Sequence, residues 1–222
     1  MEAARSLGVF RAREFVGCGF SREYLRRLGA RGEVTQLSRG LYRYRKFEAV
    51  EYQTLVEVAK RIPDGVVCLL SSLVFHRLGT QAPHAVWLAL PRGHRRPSAA
   101  DLPVRLHVYS KVSHAAGIEE HELPGGTVRV YSPAKTVADC FKFRSKVGID
   151  VCVEALSDCL RQRRATLPEI ERHAKICRVS RVMRPYLEAM QRVAQTPGIC
   201  RLRSSSGSST WPVRSARMPT CS

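Results

Sequence analysis

The sequence predicts an α+β protein: an N-terminal winged helix-turn-helix, then an α+β domain made of a small, mostly antiparallel sheet and a helical cluster. Three observations predict it. Residues 8–44 read as helix, glycine turn, arginine-bearing helix and basic hairpin. Residues 85–131 carry short apolar and alternating runs bounded by proline and glycine. From Ser132 onward the apolar period changes to that of helices.

The first segment is argued residue by residue. Gly17 and Gly19 allow a sharp turn, because glycine accepts positive φ without a Cβ clash. Ser21 suits the N-cap of the next helix, where its hydroxyl can accept from a free backbone N–H. Tyr24, Leu25 and Leu28 share one side of a 3.6-residue repeat, and Arg22, Arg26 and Arg27 lie towards the other. Gly29 or Gly32 can end that helix. Residues 33–37 and 41–45 read as strands joined by Ser38-Arg39-Gly40. Arg39, Arg43 and Arg45 charge this hairpin for phosphate contact, and Ser21, Arg22, Arg26 and Arg27 fall on the helix that enters a major groove. The competing reading is a small α/β module with merely solvated arginines.

After a connector at 47–52, residues 53–61 read as a helix stopped by Pro63. Residues 66–78 are apolar and ambiguous, with a helix favoured from about Leu70. Residues 85–90, between Pro83 and Pro91, read as a buried strand, and 104–109 as another. Residues 118–123 and 127–131 form a hairpin about Pro124-Gly125-Gly126. Ser132-Pro133 opens a helix with serine as cap and proline at the first position. Asp150 is read as the cap of the next helix. Thr166 and Glu169 have capping-box spacing for a third, reaching about Cys177. Residues 180–194 make the last, with Pro185 near its start. The domains are thus expected at 1–46 and 47–195. Residues 196–222, with no period and no acidic side chain, read as an atypical, disordered tail.

Composition narrows the function. A chain of 222 residues with 44% hydrophobic residues can bury a core, and a net charge of +18 favours nucleic acid or another polyanion. The first seven residues are too short and charged for a secretory signal, and no apolar run approaches membrane-spanning length, so a cytoplasmic, non-membrane protein is expected. Eight cysteines occur without a CxxC pair. His173 and Cys177 lie one helical turn apart with no second ligand pair, so no metal and no cofactor is expected. No P-loop, kinase glycine loop or HRD-like motif is present, so no catalytic residue is assigned.

In the second domain Arg129, Ser132, Lys135, Thr136 and Asp139 cluster around the start of a helix. Lys135 and Asp139 are four apart and share a helical face. Ser132 and the free N–H groups there could hold an anion; equally, Ser132 is only a cap and the pair an ordinary i,i+4 one. Arg92, His94, Arg95 and Arg96 form a second basic cluster, read as a solvated loop or a contact to nucleic acid.

Together, the winged-helix stretch and the blocks LSRGLYRY, VWLALPRG and SPAKTVADCFKFRSKVGIDVCVEAL resemble the AbiEi-type antitoxin family of bacterial type IV toxin–antitoxin systems, over about residues 7–191. SPAKTVADCFKFR is the most specific block. Two features depart from the family: only residues 1–7 are left for the first helix of the winged domain, and the tail is unlike it. The resemblance implies a transcriptional autorepressor that binds repeated sites in double-stranded DNA of its own promoter. Its second domain would counteract a nucleotidyltransferase-like toxin without needing a stable complex. Matched to the family block, Arg129, Ser132, Lys135, Thr136 and Asp139 become the candidates for antitoxin activity. The alternatives are an enzyme-like antitoxin that modifies the toxin or reverses its product, and a stand-alone winged-helix regulator.

Overall fold

The computed structural model describes residues 8–45, 52–94 and 103–195. Arg95, Arg96 and the segment 196–222 therefore lie outside the described residues. The N-terminal module runs β1 (Val9–Arg11), α1 (Ala12–Gly17), α2 (Arg22–Ala30), β2 (Val34–Ser38) and β3 (Leu41–Tyr44). Its sheet has the order β1-β3-β2, antiparallel throughout, with Val9 opposite Arg43 and Thr35 opposite Arg43 on the other side. The opening strand corrects the sequence expectation, which began the first helix at Gly8. Val9 and Phe10 have strand character visible only beside β3, more than 30 residues away. Phe10, Phe15, Leu25, Leu28, Val34 and Tyr44 form this module's own core.

The remainder builds on a five-stranded sheet of β4 (Val66–Val67), β5 (Val86–Pro91), β6 (Val104–Tyr109), β7 (Ile118–Leu123) and β8 (Gly126–Tyr131), in the order β6-β5-β4-β8-β7. The pairs β4–β5 and β7–β8 are antiparallel, while β5–β6 and β4–β8 are parallel. The sheet is thus evenly mixed rather than mostly antiparallel. Parallel pairing needs a crossover of a dozen residues or more. The link between β5 and β6, at residues 92–103, is just long enough, which hydrophobic patterning alone does not reveal.

The helices are α3 (Gln53–Arg61), α4 (Leu69–His76), α5 (Lys111–Ala115), α6 (Pro133–Lys142), α7 (Arg144–Val147), α8 (Ile149–Arg161), α9 (Leu167–Cys177) and α10 (Ser180–Gln195). Two caps among these helices fall where the sequence places them. Ser132 accepts from the Lys135 amide with Pro133 at the first turn, and Thr166 and Glu169 form a capping box. The cap of α8 is Gly148, at φ 98°, and Asp150, the predicted cap, lies two residues further on in the first turn. The short helices α5 and α7 have no sequence counterpart.

Alternation along the strands sends side chains to two cores. On one face Val66, Trp87, Ala89, Tyr109 and Tyr131 meet α4, α6, α8, α9 and α10. Helix α6 is central to this layer, buried continuously from Ala134 to Phe141. On the opposite face Val67, Leu88, Leu90, Val128 and Val130 meet α3, and Val9 and Leu41 of the N-terminal module join the same cluster. A polar latch holds that junction. The Lys60 ammonium donates to the Val9 carbonyl at 2.6 Å and to Glu14 at 2.8 Å. The Arg11 guanidinium returns two bonds to the Lys60 carbonyl, one of them at 2.9 Å. Burial raises the Glu14 carboxyl, but Lys60 and the Arg11 amide bring it below its ordinary value.

His107 supplies a pH prediction. It stacks on Trp87 with centroids 4.8 Å apart, and burial, then Lys146 and Arg105, lower its pKa from 6.5 to about 4. The native state therefore binds fewer protons than the unfolded chain between those values. Its contribution is fully present above about pH 6.5 and is lost as pH falls towards 4. Urea titrations across this range should show stability dropping on acidification, by a shallower slope in His107→Gln than in the parent.

Candidate nucleic-acid interface and buried polar site

Ser21 caps α2 by accepting from the Tyr24 amide at 3.1 Å, as its position in the sequence requires. Leu25 and Leu28 turn inward, and Arg22, Arg26 and Arg27 are all exposed. The structure thus brings the three predicted arginines to one open face. Arg26 pairs with Glu23 at 3.1 Å, but these side chains are 81% and 55% exposed. Such a surface pair contributes only about 0.2–1 kcal/mol, so it leaves Arg26 able to swing to another acceptor. Between α2 and the wing lies a cleft of about 660 Å³ lined by Arg22, Arg26, Gln36 and Tyr42.

In the wing, Arg39 and Arg45 are exposed. Gly40, at φ 76°, makes the turn between β2 and β3 that holds Arg39 at the tip. Arg43 differs. Its guanidinium lies 3.7 Å from Glu57 of α3 and is only 39% exposed, so it also ties the wing to α3.

The candidates of the second domain separate into two groups. Lys135, Thr136 and Asp139 have no exposed surface. The Lys135 ammonium donates to Asp139 at 2.5 Å and lies over the rings of Tyr131 at 4.3 Å and Tyr109 at 5.0 Å. The Cys177 thiol of α9 donates to the other Asp139 oxygen at 3.1 Å. Burial raises the Asp139 carboxyl, while Lys135 and Cys177 pull it down. Thr136 donates to the Tyr131 carbonyl at 3.1 Å and lies 2.7 Å from Ser72, and His76 meets the same carbonyl at 2.7 Å. These contacts join β8, α4, α6 and α9 beneath the surface.

The structure gives Lys135 no part in the anion role considered for this helix start. Lys135 faces inward to Asp139. Pro133 has no amide hydrogen, and the Lys135 amide is already held by Ser132. Ser132 itself reaches solvent in a cleft of about 430 Å³ shared with Gly117, Glu119, Arg164, Arg172 and His173. Arg129 is separate, donating to the Pro63 carbonyl. Sequence reasoning missed Cys177 as a partner of Asp139; its spacing from His173 was weighed as a metal pair and set aside. Among the described residues no cluster of three or more His, Cys, Asp or Glu side chains could hold a metal. No described helix is long and apolar enough to cross a membrane.

A strand, a helix-turn-helix with a serine-capped second helix bearing exposed arginines, and a basic two-stranded wing define a winged helix-turn-helix module. Residues 1–45 match the model of the family described as transcriptional regulator, AbiEi antitoxin. The resemblance read from the sequence holds over this module; the second domain lies beyond the matched residues. A crystal structure of the RV2827C protein from Mycobacterium tuberculosis resembles the chain with a TM-score of 0.53 at 16% identity, covering 78% of this chain and 68% of that one. At that identity the likeness is one of fold. Comparison with curated protein sequences gave no match.

Proposed function

We propose that this chain is the antitoxin and autorepressor of a type IV toxin–antitoxin system, acting on double-stranded DNA of its own promoter and opposing a nucleotidyltransferase-like toxin. The observation that carries the DNA part is the open arginine face of α2 beside a basic wing, in a module similar to AbiEi-type regulators. Helix α2 enters the major groove, where Arg22, Arg26 and Arg27 reach base edges and Ser21 fixes the helix start. Arg39 and Arg45 hold phosphates, and Arg43 joins them when it leaves Glu57.

The antitoxin activity belongs to the second domain. Ser132 and its cleft form the reachable part of the candidate set, and Lys135, Thr136 and Asp139 hold the helix beneath it. The test combines promoter gel shifts with growth assays in cells expressing a nucleotidyltransferase-like toxin. The wild type should retard its promoter and restore growth. A chain that does neither overturns the proposal.

The wing carries a separate expectation. Alanine at Arg39 or Arg45 should weaken promoter and random duplexes alike, and should flatten the salt dependence by about one unit per lost phosphate contact. Glu57→Gln should do the reverse by releasing Arg43. A loss confined to the promoter would mean that the wing reads bases.

A further inference from the structure

The face of the sheet opposite the N-terminal module ends in a ladder of rings. Trp87 stacks on His107 at 4.8 Å with an interplanar angle of 4°, His107 meets the edge of Phe143 at 5.5 Å, and Phe143 meets Tyr109 at 5.4 Å. Each end carries cations. The Arg105 guanidinium lies 5.3 Å from the Trp87 centroid. The Lys146 ammonium lies 5.7 Å from Phe143, and the Lys142 ammonium lies 5.8 Å from Phe143 and 5.4 Å from Tyr109. Arg105 and Lys146 are exposed and Lys142 is half-buried. Among the described residues none of the three forms an ion pair with a carboxylate, unlike Arg43, Lys60 and Lys135.

Three unneutralised cations seated on ring faces make a pre-organised row rather than three swinging tips. Trp87 and Tyr109 are covered, at 4% and 1% exposed, and Phe143 is half-buried, so the row offers mainly charge. That chemistry fits successive phosphates and not an apolar peptide. The N-terminal module packs with Leu88, Leu90, Val128 and Val130 on the opposite side of the sheet. The module that carries α2 therefore packs on the other face of the sheet from this row.

We propose that Arg105, Lys142 and Lys146 form a second nucleic-acid-binding face, which takes the phosphodiester backbone of a strand other than the operator duplex. The inference rests on the proposed DNA reading only for what the operator is.

The test uses the full chain and fluorescence anisotropy with labelled promoter duplex, random duplex, oligo(U) RNA and oligo(dT). Arg105→Gln, Lys142→Gln and Lys146→Gln are combined in one variant; Arg22→Ala, Arg26→Ala and Arg27→Ala in another. The first variant should keep promoter affinity and melting temperature, and lose binding to at least one other strand, with the salt slope reduced by up to about two units for single strands. Which strand is lost identifies the source of the backbone. Equal binding of all four probes by this variant and the parent overturns the proposal, and so does a loss confined to the promoter. Lys146→Gln alone, at an exposed position, decides the matter if the triple change lowers the melting temperature. If instead the α2 variant still binds the promoter normally, the operator reading fails while the result for this face stands.

Discussion

Lys135→Met should destabilise the second domain by about 3–5 kcal/mol, the effect of removing one partner from a buried ion pair. The substitution conserves most of the side-chain volume but leaves Asp139 without its ammonium in a site with no exposed surface. The Cys177 thiol alone cannot offset a buried carboxylate, which would have to take up a proton. Asp139→Leu combined with Lys135→Met should recover much of the loss, because two apolar groups there desolvate nothing charged. Urea denaturation of the single and double variants measures both. A Lys135→Met protein that unfolds at the parent's midpoint would show that the pair contributes nothing to the fold. The same variants bear on toxin protection. Loss of protection should track loss of stability for Lys135 and Asp139, whereas Arg172→Ala in the Ser132 cleft should leave the melting temperature unchanged.

Alanine at Arg22, Arg26 and Arg27 together should reduce promoter affinity tenfold or more, since each arginine that reads a base contributes about 1–3 kcal/mol of discrimination. The side chains are exposed and leave the module's core untouched, so the melting temperature should hold. Arg26 tests the argument most sharply, because its neighbour Glu23 competes for it. Glu23→Gln should raise affinity for any duplex slightly by freeing that guanidinium. Gel shifts on promoter and scrambled DNA separate the effects. Undiminished promoter binding by the triple variant would remove α2 from the recognition role.

The features legible in the amino-acid order are local ones. The caps of α2, α6 and α9 follow from Ser21, Ser132 with Pro133, and Thr166 with Glu169, because each hydroxyl or carboxylate acts on an amide within three residues. Strand β5 was legible between Pro83 and Pro91, and the exposure of Arg22, Arg26 and Arg27 followed from the helical repeat. The tertiary structure decided what depends on distant partners. Strand β1 exists because β3 pairs with it, and the parallel pairs β5–β6 and β4–β8 depend on crossovers that periodicity does not encode. The i,i+4 spacing of Lys135 and Asp139 placed them on one face of a helix but could not say that the face points inward. That is fixed by Tyr109, Tyr131 and Cys177, which arrive from two strands and another helix to enclose the pair. Lys60 is a similar case: nothing near it in sequence marks it, and only the packing of β1 and α1 on α3 brings Val9 and Glu14 to its ammonium. Short-range hydrogen bonds and helical period are properties of neighbouring residues, whereas burial of a charge is a property of everything that surrounds it.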